Sequence, residues 1–187
     1  QALDGSSLSG NATLFNLTDP EKFYYELNLT QSSFKKSDIL KFVPKESQQQ
    51  FAELPEIVNV TGKITGNRSD LRSNIRIAGK DLLIDGNFVL NNITNPEKLK
   101  YQFGIREGMF SKPFIMGFLP PGSLPPEVNL PERLTAKGSF KGTSNDFLAD
   151  LNLGGSYGNI TVKGWMKNIK NPQQASYDLL IGMKDFQ

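Results

Sequence analysis

The chain carries the stretch GNATLFNLTDPEK at residues 10–22 and repeats it as GNFVLNNITNPEK at residues 86–98. The similarity continues without a gap, because residues 10–80 share 22 identities with residues 86–156. A third, shorter copy begins at Gly164. The resulting period of 76 residues is too long for common helical repeats. It is long enough for about four strands and one longer connection.

Within each copy, apolar and polar residues alternate, which is the pattern of half-buried strands. Short turns that are rich in Gly, Asn and Ser, or that contain an Asx-Pro pair, separate these runs. Strands joined by such short turns are antiparallel. The sequence therefore predicts an all-β antiparallel meander of repeats of about 76 residues, each with four strands and a short helix. We expect one repeat-built segment, residues 1–187, with units at about 10–85, 86–163 and a truncated 164–187.

One connection in each unit is predicted to be long. Residues 37–43 indicate a short helix with Ser37 as its N-cap, and residues 113–119 indicate the equivalent helix, each followed by a loose segment. Pro44 and Pro120 are expected to end the two helices. We interpret the helices as partial plugs of the apolar face of the sheet. A gate over a groove is the alternative interpretation.

The apolar face of this sheet has no obvious cover, since no amphipathic helix of ten or more residues is predicted. Such a face is not left in water, so the sheet is expected either to roll up tightly or to curve into an open trough. Repeated units lying side by side favour the open form. We therefore predict an open, taco-shaped apolar groove. Its predicted lipid-facing lining is Tyr25, Leu27, Leu29, Val58, Val60, Ile64, Ile75, Ile77, Phe88, Tyr101, Phe103, Ile105, Phe140, Leu151, Leu153, Leu179 and Ile181.

The composition excludes several classes of function. The chain has no His and no Cys, which removes serine triads, Cys–His dyads, disulfides and the usual zinc, iron–sulfur and haem sites. A net charge of +2 is not typical of a nucleic-acid binder. Asp38 falls in a predicted turn and is expected to be solvated, and Trp165 is predicted to point outward. We therefore expect no enzyme activity, no cofactor, no metal and no nucleic-acid partner.

The spacing of turns and strands in the second unit has a known counterpart. It comprises Leu130-Pro131-Glu132-Arg133-Leu134, Gly138-Ser139-Phe140-Lys141-Gly142, Asp146-Phe147, Leu151-Asn152-Leu153, Gly158 and Tyr177-Asp178. The first unit has a weaker version at residues 54–56, 62–66 and 70–71. Along essentially its whole length the chain resembles the AsmA-like superfamily, and within it the translocation and assembly module proteins.

The resemblance implies a periplasmic location in a Gram-negative bacterium, in a long protein that is anchored in the inner membrane. It implies an open β-groove with an apolar lining. It further implies phospholipid transport between the inner and outer membranes, outer-membrane protein assembly with an Omp85-family partner, or both. The chain has neither the anchor nor the C-terminal region of that family, so we expect it to be an internal segment.

Three functions are compatible with the sequence. The first is a non-enzymatic groove that binds phospholipid acyl chains, with each buried methylene contributing about 0.8 kcal/mol. The second is a chaperone that pairs exposed strand edges with an unfolded outer-membrane strand. The third is a surface adhesin or glycan-binding repeat, which would need aromatic side chains on the outward face of the sheet.

Overall fold

A computed structural model describes residues 5–43, 45–119 and 129–185. The strands in these ranges are β1 (Gly10–Phe15), β2 (Tyr24–Lys35), β3 (Ile57–Gly66), β4 (Asp70–Gly79), β5 (Leu82–Asn91), β6 (Lys100–Ser111), β7 (Arg133–Thr143), β8 (Phe147–Gly155), β9 (Gly158–Lys167) and β10 (Ser176–Lys184). The helices in the same ranges are α1 (Lys36–Leu40), α2 (Lys112–Phe118) and a 3₁₀ helix (Lys45–Phe51).

The ten strands form one antiparallel sheet, and their order across the sheet is their order along the chain. Within the described ranges, β1 and β10 each pair with a single neighbour and not with each other, so the sheet is open. The prediction of an all-β antiparallel meander is therefore confirmed. Among the described helices, none is long and apolar enough to cross a membrane.

The pairing of the strands repeats with the spacing seen in the sequence. Tyr25 pairs with Gly66 between β2 and β3, and Tyr101 pairs with Gly142 between β6 and β7, 76 residues later. The strands β2 and β6 also carry a shift of register at equivalent points. The strands β2 to β5 are therefore followed by an equivalent set, β6 to β9, in the same sheet.

The two ends of the strands differ. At one end, which we call the helical end, β2 and β6 continue directly into α1 and α2. At the opposite end, which we call the loop end, the strands are joined by loops at residues 16–23, 67–69, 92–99, 144–146 and 168–175. The long connections of the two units therefore lie at the same end of the sheet.

The first helix starts earlier and is shorter than predicted. It spans Lys36–Leu40 instead of residues 37–43, and its N-cap is Lys35, which makes no side-chain capping bond. The prediction of Ser37 as N-cap is therefore wrong. The reason is that β2 runs straight into α1, so the last strand residue, in extended conformation, takes the cap position.

The second helix is capped in the ordinary way. It spans Lys112–Phe118, and the Ser111 hydroxyl accepts a hydrogen bond from the Phe114 backbone N–H at 3.4 Å. In the first unit the segment predicted to be loose includes the 3₁₀ helix. Pro44 and Pro120, the predicted ends of the helices, lie outside the described residues.

Asp38 is buried, which contradicts the expectation of a solvated carboxylate. Its side chain is 1% exposed, and it accepts a hydrogen bond from the Ser6 hydroxyl at 2.6 Å. It also pairs with the Lys41 ammonium group at 2.6 Å. A buried carboxylate is stable when it is paired and hydrogen-bonded in this way. The contact with Ser6 joins residues 32 positions apart, and no local pattern in the sequence encodes it.

The buried apolar residues lie mainly at the helical end. Among the described residues these are Val58, Leu82, Ala136 and Ala149. Cross-strand pairing places the first three in the two rows of side chains nearest the helices, whereas Ala149 pairs with Phe140 closer to the loop end. Three of the four buried apolar residues in the described part of the chain therefore lie at the end where the long connections begin.

Aromatic contacts tie α2 to the sheet and to the preceding connection. The rings of Phe110 on β6 and Phe114 on α2 are stacked at 6.1 Å, and Phe114 lies 5.1 Å from Phe118. Phe118 then meets Phe51 of the 3₁₀ helix edge-on at 5.2 Å. Phe42, which is equivalent to Phe118 in the repeat, is 77% exposed. The two phenylalanines therefore have different environments, although they occupy matching sequence positions.

Candidate functional site

The strand register places all the predicted lining residues on one face of the sheet. Residues paired directly across antiparallel strands point to the same side. From Leu27 on β2, successive pairs lead to Ile64, Ser73, Phe88, Phe103, Phe140, Ala149, Gly164 and Leu179 on β10. The remaining lining residues lie in four parallel rows, two or more residues away along each strand. We call this surface the apolar face.

Most of these side chains are half-buried. Val58 is buried, Ile181 on the outermost strand β10 is 55% exposed, and the other lining residues are intermediate. No second sheet covers them within the part of the chain that the structure describes. Neighbouring side chains on the same face shield them partly from water. A ligand can therefore reach them from the side of the sheet that no second sheet covers.

A row of glycines crosses the middle of the apolar face. Gly10, Gly62, Gly86 and Gly138 occupy alternate strands in the row that also contains Ile105. A Cβ atom on Gly62 or Gly138 would overlap a carbonyl oxygen of the next strand, and both residues have positive φ, 122° and 127°. Glycine at such positions allows close approach of strands and local bending. Sequence reasoning missed this role, although the identity of Gly62 and Gly138 across the repeat was a signal for it.

Five aromatic rings form a cluster on the apolar face towards the loop end. Tyr101 stacks on Phe103 at 5.5 Å and on Phe140 at 5.4 Å. Phe88 lies 5.7 Å from Phe103, and Phe147 lies 5.1 Å from Phe140. Pairs at these distances contribute about 0.5–1.5 kcal/mol beyond the burial of their area. Phe147 was not among the predicted lining residues, although the alternation along β8 places it on this face.

Two tyrosines of the apolar face, Tyr25 and Tyr101, carry no charge at neutral pH. Burial raises the pKa of Tyr25 and of Tyr101 above the usual value for a phenol. The Tyr101 hydroxyl donates a hydrogen bond to the Thr143 carbonyl oxygen at 3.0 Å. Each ring therefore presents an apolar body to the face, and the Tyr101 hydroxyl is directed to the backbone at its edge.

The opposite face is polar and charged. Arg76 pairs with Asp85 at 3.2 Å and with Glu107 at 3.4 Å. Arg106 pairs with Asp85 as well and donates to the Asn87 side-chain oxygen at 2.8 Å. Such exposed pairs each contribute little to stability. Their position matters more, because it leaves the apolar face as the surface that water solvates poorly.

Hydrogen bonds to Asp70 connect two neighbouring loops at the loop end, residues 67–69 and 92–99. Its carboxylate accepts hydrogen bonds from the Asn91 side chain at 2.9 Å, the Asn67 side chain at 3.3 Å and the Asn92 backbone N–H at 3.3 Å. These bonds, with that from Asn91 the largest cause, lower the pKa of Asp70 below its usual value. The equivalent Asp146 accepts from the Asn168 backbone N–H at 2.9 Å. Both units therefore brace this end with an aspartate.

The described strands present an accessible apolar surface on one side of the sheet. Among the residues that the structure describes, no group of three or more Asp and Glu side chains is placed to hold a metal ion. No family model, curated protein or solved structure matches the chain. The candidate site is therefore defined by its geometry: an apolar face that a row of glycines crosses and that no second sheet covers in the described residues.

Proposed function

We propose that the apolar face binds the acyl chains of phospholipids and supports their movement along the sheet. The observation that carries this proposal is the set of mainly half-buried apolar side chains that runs from β2 to β10 on one face, with no second sheet over it in the described residues. Each methylene that leaves water for such a surface gains about 0.8 kcal/mol. The headgroup would stay in solvent at the open side.

The repeat supports movement as well as binding. Equivalent strands of the two units offer a lipid acyl chain similar apolar surroundings. When the acyl chain moves from one unit to the next, it therefore exchanges its contacts for similar ones. The uncharged tyrosines and the position of the ion pairs on the opposite face keep fixed charge off this path. A lipid moving across the described strands therefore meets no charged side chain of these strands on the apolar face.

We further propose that the chain is a periplasmic segment of a TamB-like protein of the AsmA-like superfamily. In that setting it would serve phospholipid transport between the two membranes of a Gram-negative envelope, outer-membrane protein assembly, or both. The full-length protein would be anchored in the inner membrane and act with a TamA-like partner of the Omp85 family. The support for this assignment is the spacing of turns and strands in the sequence, together with the open apolar sheet.

Lipid binding can be tested with two adjacent residues of β8. Leu151 lies on the apolar face and is half-buried, whereas its neighbour Asn152 lies on the polar face and is exposed. Both Leu151→Asp and Asn152→Asp add one negative charge at nearly the same place. Because a carboxylate on the apolar face must be kept hydrated, Leu151→Asp should weaken lipid binding by about tenfold or more, equivalent to about 1.4 kcal/mol.

The measurement is native mass spectrometry of phospholipid that co-purifies with the chain, followed by titration with a fluorescent phosphatidylethanolamine. We expect bound phospholipid in the unchanged chain and in Asn152→Asp, and a marked loss in Leu151→Asp. Thermal unfolding of each variant checks that the sheet is intact. If the folded Leu151→Asp variant binds lipid as well as Asn152→Asp does, the apolar face is not the lipid site.

A further inference from the structure

The polar face carries a cleft with an apolar floor. Val89 on β5, Leu148 on β8 and Trp165 on β9 line a cleft of about 600 Å³ near the loop end. Leu148 and Trp165 pair directly across their strands, and Leu148 is 41% exposed. The volume lies within the range of small-ligand sites, about 300–1,000 Å³. We call this feature the outer cleft, because it lies on the side of the sheet opposite the apolar face.

Three lysines surround that floor. Lys100, Lys141 and Lys167 line the cleft, and Lys141 pairs directly with Leu148 across β7 and β8. The Lys167 ammonium group lies 4.9 Å from the centre of the Trp165 ring. The cleft is also lined by one carboxylate, that of Asp146, which already accepts the backbone hydrogen bond at the loop end. The lining therefore has an excess of positive charge.

The first unit has a cleft at the equivalent position, but it lacks these apolar and basic residues. Its equivalent cleft is smaller, about 310 Å³, and is lined by Tyr24, Thr65 and Arg72 where the second unit has Lys100, Lys141 and Leu148. The backbone pairing of the two places is the same. The second unit therefore differs in having an apolar floor and a basic rim on an otherwise shared framework.

We infer that the outer cleft binds an amphiphilic anion with a single apolar chain. The chain would lie on Trp165, Leu148 and Val89, and the anionic group would meet Lys141 and Lys167. Charge complementarity selects the anion, since the cleft offers several ammonium groups and its one carboxylate is engaged in a hydrogen bond. A fatty acid and an alkyl phosphate share this chemistry. The inference goes beyond the proposed function, because the floor of the cleft, Val89, Leu148 and Trp165, lies on the side of the sheet opposite the apolar face.

Trp165 is the only tryptophan of the chain, so its fluorescence reports on this cleft alone. Bromine at the end of an alkyl chain quenches tryptophan on contact. Titration with 11-bromoundecanoate and with 11-bromoundecyl phosphate, both below their micelle concentrations, should give saturable quenching. The uncharged 11-bromoundecanol and the cationic 11-bromoundecyltrimethylammonium should bind at least about tenfold more weakly, because they forgo the charged contacts. The two anionic probes together distinguish a carboxylate ligand from a phosphate ligand.

Two variants test the floor and the rim separately. Leu148→Gln removes apolar surface at an exposed position and should weaken quenching by the anionic probes by about tenfold. Lys167→Gln should reduce the preference for anionic over uncharged probes while leaving the chain folded. Thermal unfolding measured alongside gives the folding control. If Leu148→Gln unfolds the chain, Lys167→Gln still decides the question.

The control on the other face is Leu151→Asp. It should leave the quenching of Trp165 unchanged even where it abolishes lipid binding to the apolar face, so failure of one site is distinguishable from failure of the other. Equal quenching by all four headgroups, or quenching that neither Leu148→Gln nor Lys167→Gln alters, would overturn the inference. Quenching that grows linearly without saturation would overturn it as well.

Discussion

The helical end and the loop end of the apolar face are built from the same kinds of side chain and have different accessibility. At the helical end, Leu82 and Val58 are each 2% exposed. Leu82 pairs across the strands with Phe110, whose ring stacks on Phe114 of α2. Towards the loop end, Leu27 and Phe103 are only half-buried. The same alternating pattern therefore gives a packed core at one end and an accessible surface at the other.

The difference shows where stability and binding reside in this chain. A buried row stabilises the fold through the apolar area it removes from water, and little of that area is left for a ligand. An uncovered row contributes less to folding and leaves apolar area that a ligand can bury. We therefore assign the stability of the sheet mainly to the helical end, and the proposed acyl-chain binding mainly to the glycine row and the aromatic cluster.

The largest effect on the free energy of unfolding is expected from truncating one leucine at each end of the sheet. Leu82→Ala should cost about 2–5 kcal/mol of unfolding free energy, since it leaves a cavity in the packed end. Leu27→Ala at the open end should cost about 1 kcal/mol, because water can reach the space it leaves. Urea denaturation of both variants measures the difference. Equal losses would mean that the two ends are packed alike, and the contrast drawn above would be wrong.

The glycine row between the two ends gives the next largest effect. Gly138→Ala should cost about 1–3 kcal/mol, because its φ of 127° is unfavourable for alanine and the new methyl group would overlap the Asp150 carbonyl oxygen. Gly104→Ala is the matched control on β6, where the nearest atom to a Cβ is the Asn87 side-chain nitrogen at 3.1 Å. Thermal unfolding compares them. A Gly138→Ala variant as stable as Gly104→Ala would show that the close approach of β8 at Gly138 is not a constraint on the sheet.

The sequence was sufficient for the strands but not for the contacts between connections. Alternation and the 76-residue period encode which face each side chain takes, so residues such as Phe103 and Leu151 could be placed without a structure. The buried Asp38 accepts a hydrogen bond from Ser6, which lies 32 positions earlier in the chain, so no local pattern predicts this contact. The packing of Phe118 on Phe51 joins two connections, and neither connection alone predicts it. The local sequence pattern therefore predicted the face on which each strand side chain lies, whereas contacts between distant segments determine which residues are buried.

The smallest effect is expected at the loop end, from the titration of Asp70. Its pKa is lowered in the folded chain by the bonds from Asn91 and Asn67, so the carboxylate form stabilises the fold. This contribution is complete above the unfolded pKa, about 3.9, and is lost as the pH falls through the lower folded value. Asp70→Asn should therefore be less stable than the unchanged chain at pH 7, and the difference should shrink below about pH 4.

Asp178→Asn, at an exposed aspartate of β10, serves as the control for the general loss of one charge. Urea denaturation of the three proteins between neutral and acidic pH measures this. A difference between Asp70→Asn and the unchanged chain that stays constant down to the acid limit would mean that the asparagine contacts, and not the charge they stabilise, hold the loops together.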